Sequence, residues 1–452
     1  MQSVDPATGK VMATYPEHSV AEATRIVEGA AAAQTQWKRV GFSERAALLR
    51  RAAGVLRRDK EQHALLMAHE MGKPLDQGRA EVEKCATCCE YFAEHGESFL
   101  REEEIRTEAA RSYVLFQPLG VLLAIMPWNF PFWQVVRAVA PTLMAGNAVV
   151  LKHASNVCGC ALAVESAFRE AGSPEGLFRA LLIPSQHVAE LIAHPGVSAV
   201  TLTGSTEAGK SVAAAAGAHL KKTVLELGGS DPYVVLDDAD VVAAAEVCAA
   251  SRLINSGQSC IAAKRFIVMR AVREEFSHLL AERLTARKIG NPIEPGTQIG
   301  PLARRDLRDA LHDQVERSVS AGATLFAAGH VPPGPGAWYP ATVLTNVRAG
   351  MAAFDEETFG PVAAIIEAEN EEDAVALANR SVFGLGAAVF TRDAARGERV
   401  AAQFEAGCCF INDFVRSDPR LPFGGIKASG YGRELSAFGI REFVNIKTVS
   451  RK

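Results

Sequence analysis

Cys260 closes the segment NSGQSC, a small, glycine-bearing loop between a helical stretch and a strand-like one. Such a loop can present a thiol in a cleft, and a thiol attacks a carbonyl carbon only as its thiolate. Glu226 stands in LELGGSDP at the end of an apolar run, before two glycines that allow another backbone or a ligand to come close. A carboxyl group in an apolar setting gains proton affinity and can serve as a general base. Asn129, in MPWNFP, is held by aromatic and proline neighbours, and a rigidly held amide is a good donor to a developing oxyanion. The stretch LTGSTEAGK, Leu202 to Lys210, leaves a strand and opens a helix. Its backbone N–H groups and positive helix end would face an anion such as a pyrophosphate. Taken singly, each feature has a plain structural explanation of equal or greater weight: an inert loop thiol, a strand-end carboxylate bonded by backbone, a self-bonded turn asparagine, an ordinary glycine turn.

The elements that must position these groups change character along the chain. The first hundred residues read as helices. Ser19 is the expected N-cap of one and Ser43 of the next, and a further helix is expected over 75–100. Residues 105–116 read as an extended arm. From Gly120, short apolar runs at 121–125, 148–151, 179–182, 199–202 and 223–225 alternate with helical stretches at 133–143, 157–170, 187–193 and 207–216. That rhythm predicts a parallel sheet covered on both faces, with ligands at the carboxyl ends of its strands. Beyond Gly228-Gly229 the alternation continues, with strands at 233–236 and 265–269 and helices at 241–251 and 274–287, as a second α/β unit.

At 452 residues, two or three domains are expected. A formal charge of -4, with no basic run, argues against nucleic acid as a partner. The most apolar region, Val121–Leu151, is broken by Pro127, Asn129, Pro131, Arg137, Pro141 and Asn147 and reads as core rather than membrane span. No secretory leader is read at the start, so a cytoplasmic location is expected. Nine cysteines make an odd count with no disulfide framework. Cys85, Cys88 and Cys89 sit at helical spacing without a second ligand pair, so they read as core packing and no metal is expected.

Together and in this order, the four segments, with KHAS (152–155), EETFGPV (356–362) and PFGGIKASGYGRE (422–434), resemble the aldehyde dehydrogenase superfamily over nearly the whole chain. The resemblance implies an α/β fold with a Rossmann-type cofactor domain (1–102 and 119–228), an α/β catalytic domain (229–432) and oligomerisation elements (103–118 and 433–452). It implies a homodimer or homotetramer. It makes Cys260 the nucleophile, Glu226 the base for deacylation, and Asn129 with the Cys260 N–H the oxyanion hole. Trp128, Lys152, Ser155, Thr203, Gly204, Ser205, Glu357 and Phe359 become cofactor contacts. Having Glu226 argues against relatives that pass the acyl group to coenzyme A.

Many NAD-preferring members carry an acidic residue three positions after the lysine of KHAS. Serine stands there, at Ser155, and it would accept a 2′-phosphate that a carboxylate would repel. NADP is therefore favoured over NAD, although Ser155 could also cap the following helix. LKHASNV, FWQVVRAVAP and AAKRFIV resemble the short succinate-semialdehyde dehydrogenases. Arg137 could meet the far carboxylate of a four-carbon semialdehyde, with Ser417, Arg416 and Arg420 as further candidates; a structural salt bridge is an equal reading of Arg137. Trp133, Phe132 and Phe414 could line an apolar entrance. Ile254 stands where some of these enzymes place an arginine. A broad medium-chain aldehyde dehydrogenase and a cofactor-independent thiol esterase are the alternatives.

Overall fold

The computed structural model describes all 452 residues, Met1–Lys452. The first hundred residues are not all helical: an antiparallel hairpin of Gln2–Val4 with Val11–Thr14 precedes four helices, α1 (Val20–Trp37), α2 (Phe42–Arg58), α3 (Lys60–Met71) and α4 (Leu75–Phe99). Ser19 caps α1 in a reciprocal box with Glu22. The second expected cap fails. Helix α2 begins one residue before Ser43 and has Gly41 as its N-cap, with no side-chain bond. Helix α4 buries Val82, Cys85, Cys88, Cys89 and Phe92 at helical spacing, so its thiols pack as small apolar groups, and all nine cysteines are free.

Strands β1 (Val121–Met126), β2 (Ala148–His153), β3 (Phe178–Leu181), β4 (Val197–Thr203) and β5 (Lys222–Glu226) lie parallel in the spatial order β5-β4-β1-β2-β3. Runs such as AVVLKH are buried on both sides, as parallel sheets demand. The fully buried α5 (Trp133–Met144) follows β1.

A second sheet contains β6 (Pro232–Val235), β7 (Arg265–Met269), β8 (Thr324–Ala327), β9 (Thr342–Thr345), β10 (Val362–Ala368), β11 (Gly386–Phe390) and β12 (Cys408–Ile411), in the order β8-β9-β10-β7-β6-β11-β12. Only β8 runs antiparallel to its neighbour. Alternate residues feed two cores, with Val234, Ile267 and Val389 on one face and Tyr233, Phe266 and Ala388 on the other. Late in the chain, β13 (Gly430–Tyr431) returns to pair with the edge strand β5, so 229–432 does not fold wholly apart from the first sheet. The expected arm is a three-stranded ribbon in which Arg111–Pro118 pairs with both Glu103–Glu104 and Val444–Arg451. No helix is long and apolar enough to cross a membrane.

Candidate active site

Two loops meet at the candidate site. One is the turn after β1, carrying Trp128 and Asn129. The other follows the helix Val241–Leu253 and carries Cys260. Between them, Asn255, Ser256 and Gly257 are three consecutive left-handed residues, with φ of 54°, 55° and 78°. Gly257 has no alternative there, because a Cβ would lie 2.3 Å from the Gly360 carbonyl carbon. Side-chain amides stitch the loops together. Asn129 Nδ2 donates to the Gln258 carbonyl at 3.0 Å, and Asn255 Nδ2 donates to the Asn129 carbonyl at 2.7 Å. Gln134 donates to Asn129 Oδ1 at 3.1 Å, which leaves one N–H of the Asn129 amide uncommitted. Lys264, buried, donates to the carbonyls of Ser259 and Cys260 at 3.0 and 2.8 Å.

Cys260 is half-buried on this floor. Burial pushes its thiol up to about 12, while the Lys264 ammonium pulls the other way. Glu226 ends β5, 2 % exposed, and neither of its carboxyl oxygens has a hydrogen-bond partner. Burial, and then the nearby Glu434, raise its proton affinity well above the carboxylate range, with Arg137 and Arg433 opposing. Gly424 gives it room, since a Cβ there would stand 2.7 Å from Glu226 Oε1. The loops of Asn129 and Cys260 therefore share one floor, and Gly229, three residues after Glu226, packs against the Cys260 carbonyl.

The expected cofactor contacts spread along the carboxyl ends of the first sheet. Trp128 and Phe359 meet edge to face, with centroids 5.7 Å apart. Glu357 accepts the Gly229 N–H at 3.0 Å and lies 3.5 Å from Lys264 Nζ. Lys152 and Ser155 line a cavity of about 470 Å³ with Ser185, and Lys152 Nζ donates to Ser185 Oγ at 3.2 Å. Ser155 makes no capping bond, so its helix-cap reading is not realised. Thr203 ends β4, and the Gly204 N–H is spent on the Glu226 carbonyl at 3.0 Å. Ser205 caps the helix Thr206–Ala218, accepting the Ala208 N–H.

Above Cys260 opens a cavity of about 750 Å³. Trp133, Ser417, Phe414, Arg137 and Ile254 all line it. Phe132 does not; it is fully buried in the core, and Phe130 takes its place in the wall. The Arg137 guanidinium is ion-paired with the buried Glu434 and donates to Thr203 Oγ1 at 3.2 Å, which is the salt-bridge reading. Arg416 and Arg420 are held at 2.6 Å by Asp413 and Asp418. Sequence reasoning missed Glu81, buried on α4, which accepts the N–H groups of Phe132 and Trp133 and so fixes the start of α5. Its ion pair with Lys73 brings a cation that also donates to the Asn129 carbonyl. A charge on the apolar stripe of α4 is the mark that would have flagged it.

The aldehyde dehydrogenase family model matches residues 1–449. A probable NADP(+) succinate-semialdehyde dehydrogenase of Synechocystis sp. is 48% identical, over 99% of this chain and 98% of its own. An NAD(P)+ succinate semialdehyde dehydrogenase of Escherichia coli is 45% identical, over 99% of this chain and 97% of its own. The crystal structure of the Streptococcus pyogenes succinic semialdehyde dehydrogenase with NADP+ superposes with a TM-score of 0.97 at 38% identity, covering 99% of each chain. This chain belongs to the aldehyde dehydrogenase family.

Proposed function

We propose that the enzyme oxidises succinate semialdehyde to succinate, with NADP preferred over NAD. The observation that carries the substrate is the charge of the cavity above Cys260. Lys84, Arg137, Arg287 and Arg416 line it against only Asp76 and Glu81. An excess of positive charge suits an aldehyde with a carboxylate at its far end. The names and identities of the relatives support the same reading.

NADP fits the residues present. Burial lowers the proton affinity of Lys152, which donates to a hydroxyl; the exposed Ser155 shares its cavity, and the cavity's one carboxylate, Glu17, is paired with the N-terminal ammonium. These two would hold the 2′-phosphate, Trp128 and Phe359 the nicotinamide end, and Glu357 a ribose. When bound, NADP supplies the hydride acceptor. We assign 1–102 and 119–228 to the cofactor domain, 229–432 to the catalytic domain, and 103–118 with 433–452 to oligomerisation.

The Cys260 thiolate adds to the aldehyde carbon, and the Asn129 amide and Cys260 N–H bear the oxyanion. After loss of hydride the acyl group remains on Sγ as a thioester. Glu226, buried and unpartnered, has the proton affinity to take a proton from the attacking water, and Sγ leaves. Trp133 and Ser417 line the wall along which the substrate's chain lies, and Arg137 adds positive field from behind its ion pair. The edge strand Val444–Arg451, with Ile446 exposed, supports a homodimer or homotetramer. Nine free thiols suit the reducing cytoplasm.

An aldehyde panel with NADP and NAD side by side tests this. Succinate semialdehyde should exceed butanal in kcat/KM by about tenfold or more, because butanal lacks the charged end. Equal turnover would favour the broad-specificity enzyme, and ester cleavage without cofactor at full rate would favour the thiol esterase.

A further inference from the structure

The cavity above Cys260 sorts its charges. Asp76 pairs with Arg79, and Glu81 with Lys73. Of the four cations in the wall, Arg137 pairs with Glu434, Arg287 with Glu246 and Arg416 with Asp413. Lys84 has no such partner. It projects from α4, donates from Nζ to Ser417 Oγ at 2.8 Å and lies 4.2 Å from the centre of the Trp133 ring. An ammonium has three N–H donors, and the hydroxyl takes one. The indole face offsets part of the charge without filling the other two.

The buried lysines of this region show what a structural lysine looks like. Lys73 has Glu81, and Lys264 has a set of backbone carbonyls. Lys84 is desolvated without either. Its ammonium is correspondingly pushed down to about 8, first by burial and then by Arg137. An uncompensated cation in a walled cavity is stabilised by an anionic ligand.

We propose that Lys84, together with the Ser417 hydroxyl, seats the distal carboxylate of the substrate and so sets the preference for an ω-carboxylate aldehyde, an inference that rests on the aldehyde dehydrogenase reading above. Ser417 accepts from Lys84, so the hydroxyl's own hydrogen is free to donate to a carboxylate oxygen while Nζ donates to the other. The two groups come from α4 and from the loop after β12, and both line the cavity that has Cys260 among its walls. The short carbon chain between carboxylate and aldehyde would lie along Trp133, Phe130 and Ile254. Arg137, already tied to Glu434 and Thr203, lends field rather than a bond.

The test compares succinate semialdehyde with butanal, equal in carbon number, in the wild type and in Lys84→Met and Lys84→Arg. Lys84→Met should raise KM for the semialdehyde and lower kcat/KM by about 30- to 100-fold, with the butanal value moving less than about threefold. Lys84→Arg should restore most of the loss. In cofactor-free protein, succinate should slow alkylation of Cys260 by iodoacetamide in the wild type and not in Lys84→Met. Lys84→Gln carries the same comparisons if the methionine variant does not fold. Equal losses on both aldehydes would make Lys84 a structural residue and overturn the proposal. So would an unchanged preference for the semialdehyde, which leaves the substrate reading intact. A wild type with no preference would overturn the substrate reading itself, and the proposal with it.

Discussion

The floor and the wall of the cavity each hold a desolvated lysine, and the two are used in opposite ways. Lys264, on the floor, donates to the carbonyls of Ser259, Cys260 and Ala262 and sits 3.5 Å from Glu357. Its charge is consumed in holding the nucleophile loop. Lys84, on the wall, gives one bond to a serine hydroxyl and keeps the rest of its capacity open. The carboxylates divide in the same manner. Glu434 is committed to its ion pair with Arg137, whereas the nearby Glu226 is buried with both oxygens unpartnered. Buried polar groups are normally satisfied, so the open ones mark where a reactant or ligand completes the structure, and the saturated ones mark what must not move.

That division can be broken by substitution. Cys260→Ala should abolish NADPH formation with every aldehyde, by about 10⁴-fold or more, because no second thiol lines the cavity. Appreciable residual turnover would remove the floor from the chemistry altogether. Glu226→Gln should lower kcat by about 10²- to 10³-fold, yet keep a first-turnover burst of NADPH in stopped flow, since the open carboxylate acts after acylation. Loss of the burst would place Glu226 earlier. Lys264→Met should cost about 3 kcal/mol of stability in urea unfolding, leaving Glu357 without its cation and the loop carbonyls without their donor, and should depress both aldehydes alike. A variant as stable as the wild type would mean that the saturated lysine holds nothing.

How much of this was legible follows from what each signal depends on. The strands of the first sheet announce themselves because a parallel strand buried on both faces must be a continuous apolar run, as in AVVLKH. Cys260, Glu226 and Asn129 stand out in the sequence by the company their motifs keep, and the fold stitches the loops of Asn129 and Cys260 together. Partnerships between distant segments were not legible. Arg137 could be read equally as a substrate or a salt-bridge residue until Glu434 was seen beside it. Gly41 caps α2 where Ser43 was expected, because a helix start depends on the preceding backbone angle as much as on a side-chain oxygen. Lys84 looks like a solvated lysine in EVEKCATCCEYF. It is unusual only because Ser417 and Trp133, from elsewhere in the chain, close over it.

The smallest expected effect, and the sharpest for the wall, is in pH dependence. Lys84 must be protonated to hold a carboxylate, and in the free enzyme its ammonium is pushed down to about 8. The charged and titratable groups that face it come from three elements. From α5, Arg137 is tied to Glu434; from the loop after β12, Asp418 is held low by Arg420; on α4 itself, Cys85 and Cys88 are pushed well up by burial, and Glu81 is paired with Lys73. As pH rises through 8, the fraction carrying the charge falls, so kcat/KM for succinate semialdehyde should decline relative to butanal, by about tenfold over one to one and a half pH units. Taking the ratio cancels the titration of Cys260, whose thiolate fraction rises over the same range for both aldehydes. The ratio should be flat below that region and flat throughout in Lys84→Met. A wild-type ratio independent of pH between 7 and 10 would mean that the wall's cation is not the group that reads the substrate's charge.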